Sequence, residues 1–349
     1  MGAYESIFKR RSFHRFPDHE PLTDADMQAV REAIAAATPL DPTIQTKIVM
    51  CPEAETSCHC GAEYCLLFYS EDKPGYLQNI GYIGEQIDLM LVEQGIGTLW
   101  YGFGKIDEKR RDNLSFVIMI AIAKAPQDAF RQNMFAAKRK SVRDGWQGDT
   151  LGVAGIVRFA PSACNTQPWL TVCEGDTLTV YRSKKAGKYG LLPARLLTYF
   201  NRIDIGIYLY MLEVCLRHEG FAFVRELPDK AGDGATELAA VYRDLKRQQE
   251  GTIARITRYE GLMKKAEAML ASGDPDAGEL QDITAALSAY YSSRYWKEDF
   301  AEDEAGRLPP DLSRGVLSED GLYDLLQACK ALPRRSKSGL NAPQGKTSS

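Results

Sequence analysis

The order of hydrophobic and polar positions divides the chain into two similar stretches and a helical remainder. In the first stretch, apolar residues at helical spacing predict a helix over 24–37, with Asp24 as its N-cap. They predict a second helix over 78–94, which Gly95 ends. A β-branched apolar run at 117–123, bounded by charge, predicts a buried strand.

The second stretch repeats this order of elements. A helix is predicted near 149–159, followed by two strands, WLTVCEG and TLTVYRS, joined by a turn at Gly175 and Asp176. An apolar helix then covers 202–220, and FAFVREL predicts a strand after it.

The two apolar helices align as copies of each other. A shift of 125 residues superposes the closing glycines, two internal glycines and two acidic residues. The aligned pairs are Gly95 with Gly220, Gly81 with Gly206, and Asp88 with Glu213. Any two buried helices that end in glycine look alike, but each of these also follows a long loop and precedes an apolar strand or turn. We therefore predict an internal duplication, with halves at 1–130 and 131–248.

The remainder, 251–332, differs from both halves. It is helical in pattern and rich in Ala and Tyr, and Ser318 followed by two acidic residues predicts the capped start of a last helix. Its aromatic stripe and acidic face predict packing on the core or on an unknown protein partner. Residues 333–349 are basic and rich in Gly, Ser and Pro, which predicts disorder.

Composition excludes several classes of protein. With 349 residues, 44% hydrophobic and 26% charged, the chain is typical of a globular protein with a sizeable core. A net charge of −4 without a long basic stripe argues against nucleic-acid binding. The chain contains no run of 18 apolar residues and no signal-peptide core, so we expect no membrane association and a cytoplasmic location. The eight scattered cysteines fit reduced thiols in that compartment.

Three of these cysteines cluster in SCHCGAEYC, at 57–65. Cys58, His59, Cys60 and Cys65 are metal-ligand types, but C-x-C-x4-C lacks the paired C-x2-C spacing of common zinc sites. A metal site, a redox-active thiol and a plain loop are the alternatives. We expect a plain loop and no metal.

The basic segment KRRSFHRF, residues 9–16, is the first candidate for a binding site. Arg10 and Arg11 can make forked hydrogen bonds to phosphate oxygens, and Ser12 adds a hydroxyl donor, with His14 two residues further on. Taken alone, the segment is more typical of a solvated basic helix end.

The loop FAPSACNTQPW, residues 159–169, is the second candidate. Pro161 and a second proline stiffen its backbone, while Ser162, Asn165 and Gln167 present hydroxyl and amide groups at short intervals. Such a loop can hold a planar heterocycle that has donors and acceptors on its rim. The alternative is a turn capped by its own side chains, with its tryptophan in the core.

Together, RRS-x-(basic)-x-F and APSA-x-N-x-QPW resemble the FMN-dependent nitroreductase family. That resemblance implies an α+β fold in which two subunits interlock and FMN lies at their interface. The arginine/serine segment of one subunit would hold the phosphate, and the PS-x-x-N-x-Q loop of the other would lie against the isoalloxazine ring. EQGIGTLWYG resembles the family's Gly-rich stretch near the flavin, which implies contacts at Gly97, Tyr101 and Gly102. His14 stands where the family usually has Arg or Lys, which implies weaker or pH-dependent phosphate binding.

The spacing of the two motifs departs from the family pattern. In the family they lie close together in one subunit, whereas about 150 residues separate them here. The departure implies a tandem chain whose two nitroreductase-like halves form a pseudo-dimer, with a C-terminal helical appendage. Because the family's dimer interface would then be internal, the chain is compatible with a monomer.

A second pair of motifs is only partly preserved. PLDPTIQ, at 39–45, aligns with PSACNTQ but has Leu40 and Thr43 in place of the serine and asparagine, while KRKSVRD aligns with KRRSFHR. The resemblance therefore implies one intact FMN site per chain and one eroded site. Lys138 and Arg139 of the second basic segment would serve either the eroded site or the phosphate of the intact one.

The activity implied is that of an FMN-dependent oxidoreductase. It would take hydride from NADH or NADPH at flavin N5 and reduce nitroaromatic, quinone or similar small electron-poor acceptors in ping-pong order. G-x-G-x-x-G is absent, so the nicotinamide would be a diffusing co-substrate, and we expect no catalytic side chain because the flavin does the chemistry. A flavin-binding or sensor protein with little turnover and a non-catalytic interaction protein are the alternatives. The tail, through YYSSRYWKEDF and its LPPDLSRGVLSEDGLYDLL ending, resembles a small bacterial helical domain of unknown function.

Overall fold

A computed structural model describes most of the chain as two compact units, Met1–Lys246 and Arg247–Ser349. The described residues are 2–17, 19–183, 194–228, 236–247, 249–272 and 277–331. The end predicted to be disordered, 333–349, lies outside them. The domain boundaries at 130 and 248 stay predictions.

The first unit contains two five-stranded sheets. In the first sheet all pairings are antiparallel, the order is β1-β2-β5-β3, and β4 pairs with β5. Its strands are β1 (Thr46–Pro52), β2 (Tyr64–Ser70), β3 (Ile96–Tyr101), β4 (Arg110–Arg111) and β5 (Leu114–Lys124). The predicted buried strand at 117–123 is confirmed as the middle of β5, the longest strand of this sheet.

The second sheet has the order β6-β7-β8-β10-β9. Its strands are β6 (Trp146–Gly148), β7 (Trp169–Glu174), β8 (Thr177–Ser183), β9 (Phe221–Glu226) and β10 (Thr236–Arg247). The predicted hairpin of β7 and β8 is confirmed, and Gly175 closes it at a φ of +60°. Without β4 and β6, each sheet keeps four strands. In both sheets the first two strands along the chain are neighbours, the fourth lies next to the second, and the third lies at the edge.

Helices connect and cover these sheets. They are α1 (Ala3–Lys9), α2 (Asp24–Ala36), α3 (Tyr76–Glu93), α4 (Val142–Gly145), α5 (Ala154–Val157) and α6 (Ala194–His218). The three helices predicted over 24–37, 78–94 and 202–220 are confirmed as α2, α3 and α6.

Two details of the predicted helices were wrong. The N-cap of α2 is Thr23, because its hydroxyl accepts from the backbone of Asp26 and that side chain bonds back to Thr23 in a capping box. The helix predicted near 149–159 is the single turn α5. Leu151 and Gly152, at φ values of +50° and +75°, hold the preceding backbone in a turn that cannot continue a right-handed helix.

The long helices α3 and α6 pack against each other through the two aligned glycines. A Cβ on Gly81 would lie 2.0 Å from the carbonyl oxygen of Ile203, and one on Gly206 would lie 1.9 Å from that of Gln78. Gln78 and Ile203 are themselves 125 positions apart, as the glycines are. The contact is thus reciprocal, as it is at a two-fold interface between identical subunits.

The core of the first unit includes both faces of this helix pair and side chains of both sheets. A second cluster lies on the other face of the first sheet. Among the described residues, none of the helices combines the length and hydropathy that crossing a bilayer requires. The cytoplasmic location stays a prediction.

The second unit is helical, as predicted. Its helices are α7 (Gln249–Ala271), α8 (Ala277–Tyr291), α9 (Arg294–Glu304) and α10 (Glu319–Ala331). Ser318 accepts a hydrogen bond from the Gly321 nitrogen at the start of α10, which confirms the predicted cap. A buried ion pair of Arg255 with Asp299, which also accepts from Tyr290, ties α7, α8 and α9 together. The predicted α+β class with a C-terminal helical region is therefore confirmed.

Candidate functional site

A cavity of about 1100 Å³ lies in the first unit, lined by residues from widely separated parts of the chain. It receives residues of both predicted motifs, although about 150 residues separate them in the chain. The predicted site residues that line it are Arg10, Arg11, Ser12, His14, Tyr101, Gly102, Arg139, Pro161, Ser162 and Asn165.

The basic segment is held against the start of β3. The Phe13 nitrogen donates to the Thr98 carbonyl at 3.0 Å, and Ser12 forms a bridge with the same residue. Arg10 donates from Nε and Nη2 to Asp88 of α3, at 3.0 and 2.9 Å, and from Nη1 to the Ser12 hydroxyl. Because both Arg10 and Asp88 are buried, this pair fixes one guanidinium at the cavity wall.

Two further arginines converge on the same end of the cavity. Arg131 and Arg139 line it together with Arg10 and Arg11. Burial, followed by the charges of Arg10 and Arg11, lowers the pKa of Arg131. Burial, followed by the charges of Arg131 and Arg10, lowers the pKa of Arg139 to about 10.

The guanidinium of Arg139 has only neutral partners. It donates to the carbonyls of Lys138 and Phe159 and to the Asn165 side chain, at 3.0 to 3.2 Å, and its buried Nε is left without a partner. Within the described part of the chain, no carboxylate pairs with Arg131 or Arg139. This end of the cavity is therefore cationic and suited to an anion.

The predicted ring-facing loop is rigid and strained. Cys164, Asn165 and Gln167 have φ values of +50°, +55° and +48°, which only a few per cent of non-glycine residues adopt. The Gln167 nitrogen donates to the Ser162 hydroxyl at 3.0 Å, and the Asn165 amide donates to the Lys138 carbonyl at 3.1 Å. Such strain is retained where the surroundings over-determine the loop, as they do here.

Part of the cavity wall is apolar. Trp100 and Ile118 contribute from the first sheet, and Phe200 and Ile203 from α6. These side chains form a surface against which a flat aromatic ligand can lose water.

One carboxyl group interrupts the apolar surface at the end of the strained loop. Asp204 of α6 accepts from the Ala163 nitrogen at 3.0 Å through Oδ1, while its buried Oδ2 has no partner. Burial raises the pKa of Asp204 well above its usual value, which favours the protonated carboxyl.

A family model described as "Putative TM nitroreductase" matches residues 3–215. The chain belongs to this family. A second family model, "Domain of unknown function (DUF4298)", matches residues 240–335. Both resemblances that the sequence motifs indicated are thus confirmed. No curated protein matches the chain significantly.

Several solved nitroreductase structures are similar to this chain. A putative nitroreductase from Thermotoga maritima MSB8 is 18% identical, with a TM-score of 0.47 over 70% of this chain and 94% of its own. A putative nitroreductase in complex with FMN from Desulfovibrio desulfuricans is 18% identical, with a TM-score of 0.30 over 41% and 94%. A nitroreductase with bound FMN from Bacteroides fragilis is 16% identical, with a TM-score of 0.30 over 40% and 94%.

Three predicted site residues of this nitroreductase chain lie outside the cavity lining. Gly97 packs on the opposite face of β3, where a Cβ would be 3.0 Å from the Phe13 ring. Gln167 is buried and bonds to the Lys140 nitrogen and to Asn165, so it holds the loop from behind. Lys138 supports the cavity only through its carbonyl, which accepts from Asn165 and Arg139.

One of the two predicted residues of the second basic segment lies at the intact pair of motifs. Arg139 lines the same cavity as Arg10 and contacts Asn165 of the intact loop, whereas Lys138 does not line it. Which of the two sites the segment serves stays a prediction.

Sequence reasoning missed Arg131, Asp204 and Phe200. Arg131 is an isolated arginine in the loop before α4, and nothing in the adjacent residues separates it from a solvated side chain. Asp204 carried one usable signal, since a carboxylate flanked by Ile203 and Ile205 in a mostly apolar helix must find a partner.

Proposed function

We propose that the chain is an FMN-dependent NAD(P)H oxidoreductase that reduces nitroaromatic, quinone or similar electron-poor acceptors. The observation that carries the proposal is one cavity whose wall combines a cluster of arginines with an apolar, hydrogen-bonding surface. FMN is itself a phosphate joined to a flat heterocycle, so the two parts of the wall match its two parts in charge and polarity.

The arginine part of the wall would bind the FMN phosphate. Arg131 and Arg139 repel each other in the present arrangement, and a bound dianion would relieve that repulsion. Ser12 adds a hydroxyl, while Arg10 is fixed by Asp88 and presents a constant positive charge.

The apolar part of the wall would bind the isoalloxazine ring. Trp100 and Ile203 provide contact surface, and the Ser162 hydroxyl can donate a hydrogen bond, while Asp204 holds the loop through the Ala163 nitrogen. Since these groups come from α6 and from a strained loop, they are held in place before the ligand arrives.

Bound FMN supplies the redox chemistry, accepting hydride from NADH or NADPH at N5 and passing electrons to the acceptor. The chain's residues bind and orient the reactants, and we assign none of them a catalytic role. Phe103 and Phe135, each 58% exposed, contact Phe200 and Phe159 near the cavity. Flat substrates could stack on these exposed rings.

We propose one FMN site per chain, formed by two halves that act as a pseudo-dimer. Reciprocal glycine contacts of α3 and α6, and the shared strand order of the two sheets, support this arrangement. Asn79 holds the eroded loop by accepting from the Leu40 and Asp41 nitrogens, as Asp204 holds the intact loop.

The eroded loop lines a second, smaller cavity of about 650 Å³. Two cations line this cavity, and each forms an ion pair: Lys73 with Glu71, and Arg202 with Glu237. Because the carboxylates neutralise their charge, these cations attract an anion only weakly. Arg139 of the second basic segment, which would have supplied the phosphate site, lines the first cavity instead. We therefore expect little FMN binding there.

The test is the spectrum of the full-length protein after incubation with FMN and desalting, followed by anaerobic addition of NADH or NADPH. We expect retained flavin that either nucleotide bleaches and that a quinone or nitroaromatic restores. Retained flavin that neither nucleotide bleaches would favour the flavin-binding or sensor alternative. A chain that takes up no FMN would overturn both and favour an interaction protein.

Arg139→Gln is the variant that tests the phosphate end. Removing a charge-assisted hydrogen bond costs about 1.5–3 kcal/mol, which corresponds to roughly 10- to 150-fold weaker FMN binding. Arg143→Gln is the matched control, because Arg143 is an exposed arginine of the same basic segment that does not line the cavity. Arg10 is unsuitable as a probe, since its removal leaves Asp88 buried and unpaired at a cost of about 3–5 kcal/mol.

A further inference from the structure

A cluster of thiols lies outside the cavity, in the loop that joins β1 to β2. The Sγ atoms of Cys58 and Cys60 are 3.2 Å apart, and the Cys60 Sγ is 3.4 Å from Oε1 of Glu53. Cys65 lies at the start of β2, where its Sγ is 3.7 Å from the Thr56 hydroxyl. All three thiols are buried.

We propose that Cys58, Cys60, Cys65 and Glu53 bind one zinc-type divalent metal ion. The ligand atoms of Glu53, Cys58 and Cys60 all lie within 4.8 Å of one another. Tetrahedral zinc, with Zn–S bonds of about 2.3 Å and Zn–O bonds of about 2.1 Å, sets its ligand atoms roughly 3.4–3.8 Å apart. The Cys60–Glu53 separation of 3.4 Å lies within that range, and the Cys58–Cys60 separation of 3.2 Å lies slightly below it. Cys65, whose Sγ does not lie within 4.8 Å of all three other ligand atoms, would move closer to become the fourth ligand.

The chemistry of the donors selects the metal. Thiolates are soft ligands that favour zinc over magnesium or calcium, and a carboxylate is an ordinary fourth ligand. Metal binding would release the thiol protons, because thiolates are the ligands. The metal ion would then take the place of the weak S–H hydrogen bonds between the sulfur atoms. The C-x-C-x4-C spacing lacks the paired C-x2-C of common zinc sites. A four-ligand site is still possible because Glu53, directly after β1, supplies the remaining ligand.

The loop backbone holds the ligands before metal arrives. Oε1 of Glu53 accepts from the nitrogens of Cys60 and Ala62, at 2.8 and 3.1 Å, which holds the carboxylate beside the Cys60 thiol. The Cys58 nitrogen donates to the Thr56 hydroxyl at 3.0 Å. Such supporting bonds around the ligands are typical of metal sites.

The cluster also braces one wall of the cavity. Ser57 exchanges hydrogen bonds with Lys105 through backbone and hydroxyl, and the Tyr101 hydroxyl donates to the Ser57 carbonyl at 3.4 Å. Tyr101 and Gly102 line the cavity. A metal in the loop would therefore stiffen the segment at 101–105 without touching the cavity's ligand.

The metal content of the full-length protein, purified with reductant and without chelator, tests the proposal by inductively coupled plasma mass spectrometry. We expect about one zinc ion per chain. Cys58→Ser and Cys60→Ser should each lose most of the metal. Cys173→Ser is the matched control, a buried cysteine of β7 in the other half that should leave the metal content unchanged. A wild-type protein that holds no metal, even after incubation with zinc, would overturn the proposal.

Cobalt substitution keeps the test decisive if the serine variants fail to fold. Wild-type protein loaded with Co²⁺ should show the intense near-ultraviolet sulfur-to-cobalt charge-transfer bands and the strong visible bands of tetrahedral thiolate coordination. Absence of these bands refutes the site, as does a Cys58–Cys60 disulfide in freshly isolated protein seen by mass spectrometry after alkylation. These measurements need no flavin, so their outcome is independent of the proposed oxidoreductase activity.

Discussion

Gly206→Ala tests the close approach of α3 and α6 on which the cavity depends. A Cβ at this position would lie 1.9 Å from the Gln78 carbonyl oxygen and 2.7 Å from the Tyr82 nitrogen. Carbon–oxygen contacts in proteins close to about 3.3 Å, so the helices would have to separate by roughly 1.4 Å. Both obstructing atoms belong to the backbone, so no change of rotamer relieves the overlap.

The cost follows from that overlap. Overpacking by one methyl typically costs about 1–3 kcal/mol, and we expect the upper end because neither helix backbone can yield locally. Equilibrium urea unfolding, followed by far-ultraviolet circular dichroism, measures this loss. Gly81→Ala should cost a similar amount, because its Cβ would lie 2.0 Å from the Ile203 carbonyl oxygen. The double variant should cost less than the sum, since helices that have separated once accommodate the second methyl.

Gly155→Ala is the control for the loss of glycine itself. No heavy atom lies within 4 Å of a Cβ at Gly155 in α5, so its unfolding free energy should change by about 1 kcal/mol or less. If Gly206→Ala were as stable as this control, the reciprocal packing of the two helices, and the pseudo-dimer argument built on it, would be contradicted.

Three further changes test the charged groups. Burial, with Asp88 nearby, raises the pKa of Glu85 well above 4.5, so the folded chain keeps a proton that the unfolded chain releases, and stability falls as the pH rises above about 4.5. Glu85→Gln should therefore have a higher urea midpoint than wild type, and the difference between the two should grow from about pH 5 to about pH 8. A difference that stays constant with pH would refute the assignment of a raised pKa to Glu85. Asp299→Ala leaves Arg255 buried without its carboxylate and should destabilise the helical unit by about 3–5 kcal/mol in thermal unfolding, whereas Glu304→Ala, at an exposed position of the same helix, should not. Arg131→Gln should weaken FMN binding and flatten its dependence on salt; an unchanged salt dependence would remove Arg131 from the phosphate site.

Local sequence patterns predicted the elements well because burial imposes them. The helix α3 is apolar on most of its faces and begins two residues before its predicted start, and the hairpin of β7 and β8 has its predicted turn. The predicted helix near 149–159 failed because two left-handed residues interrupt it, and no periodicity reports a backbone angle.

The candidate site was predictable only where its motifs are contiguous. The basic segment and the strained loop meet in one cavity, as the resemblance implied. The cationic cluster includes Arg131, which reaches it only because of how the loop before α4 folds. For Arg139 the motif spacing was compatible with either of the two sites. Gly97 was predicted to contact the flavin because it lies in the stretch that resembles the family's Gly-rich segment. In the structure a Cβ at Gly97 would face the Phe13 ring, on the face of β3 away from the cavity.

The number of FMN molecules bound per chain is the most direct test of the central claim, that two unequal halves build one flavin site. Isothermal titration of the apo full-length protein with FMN should give about one site per chain, and Thr43→Ala in the eroded loop should leave both stoichiometry and affinity unchanged. Asn165→Ala in the intact loop should weaken that single site. Binding of two equivalent FMN molecules, or of none, would contradict the account.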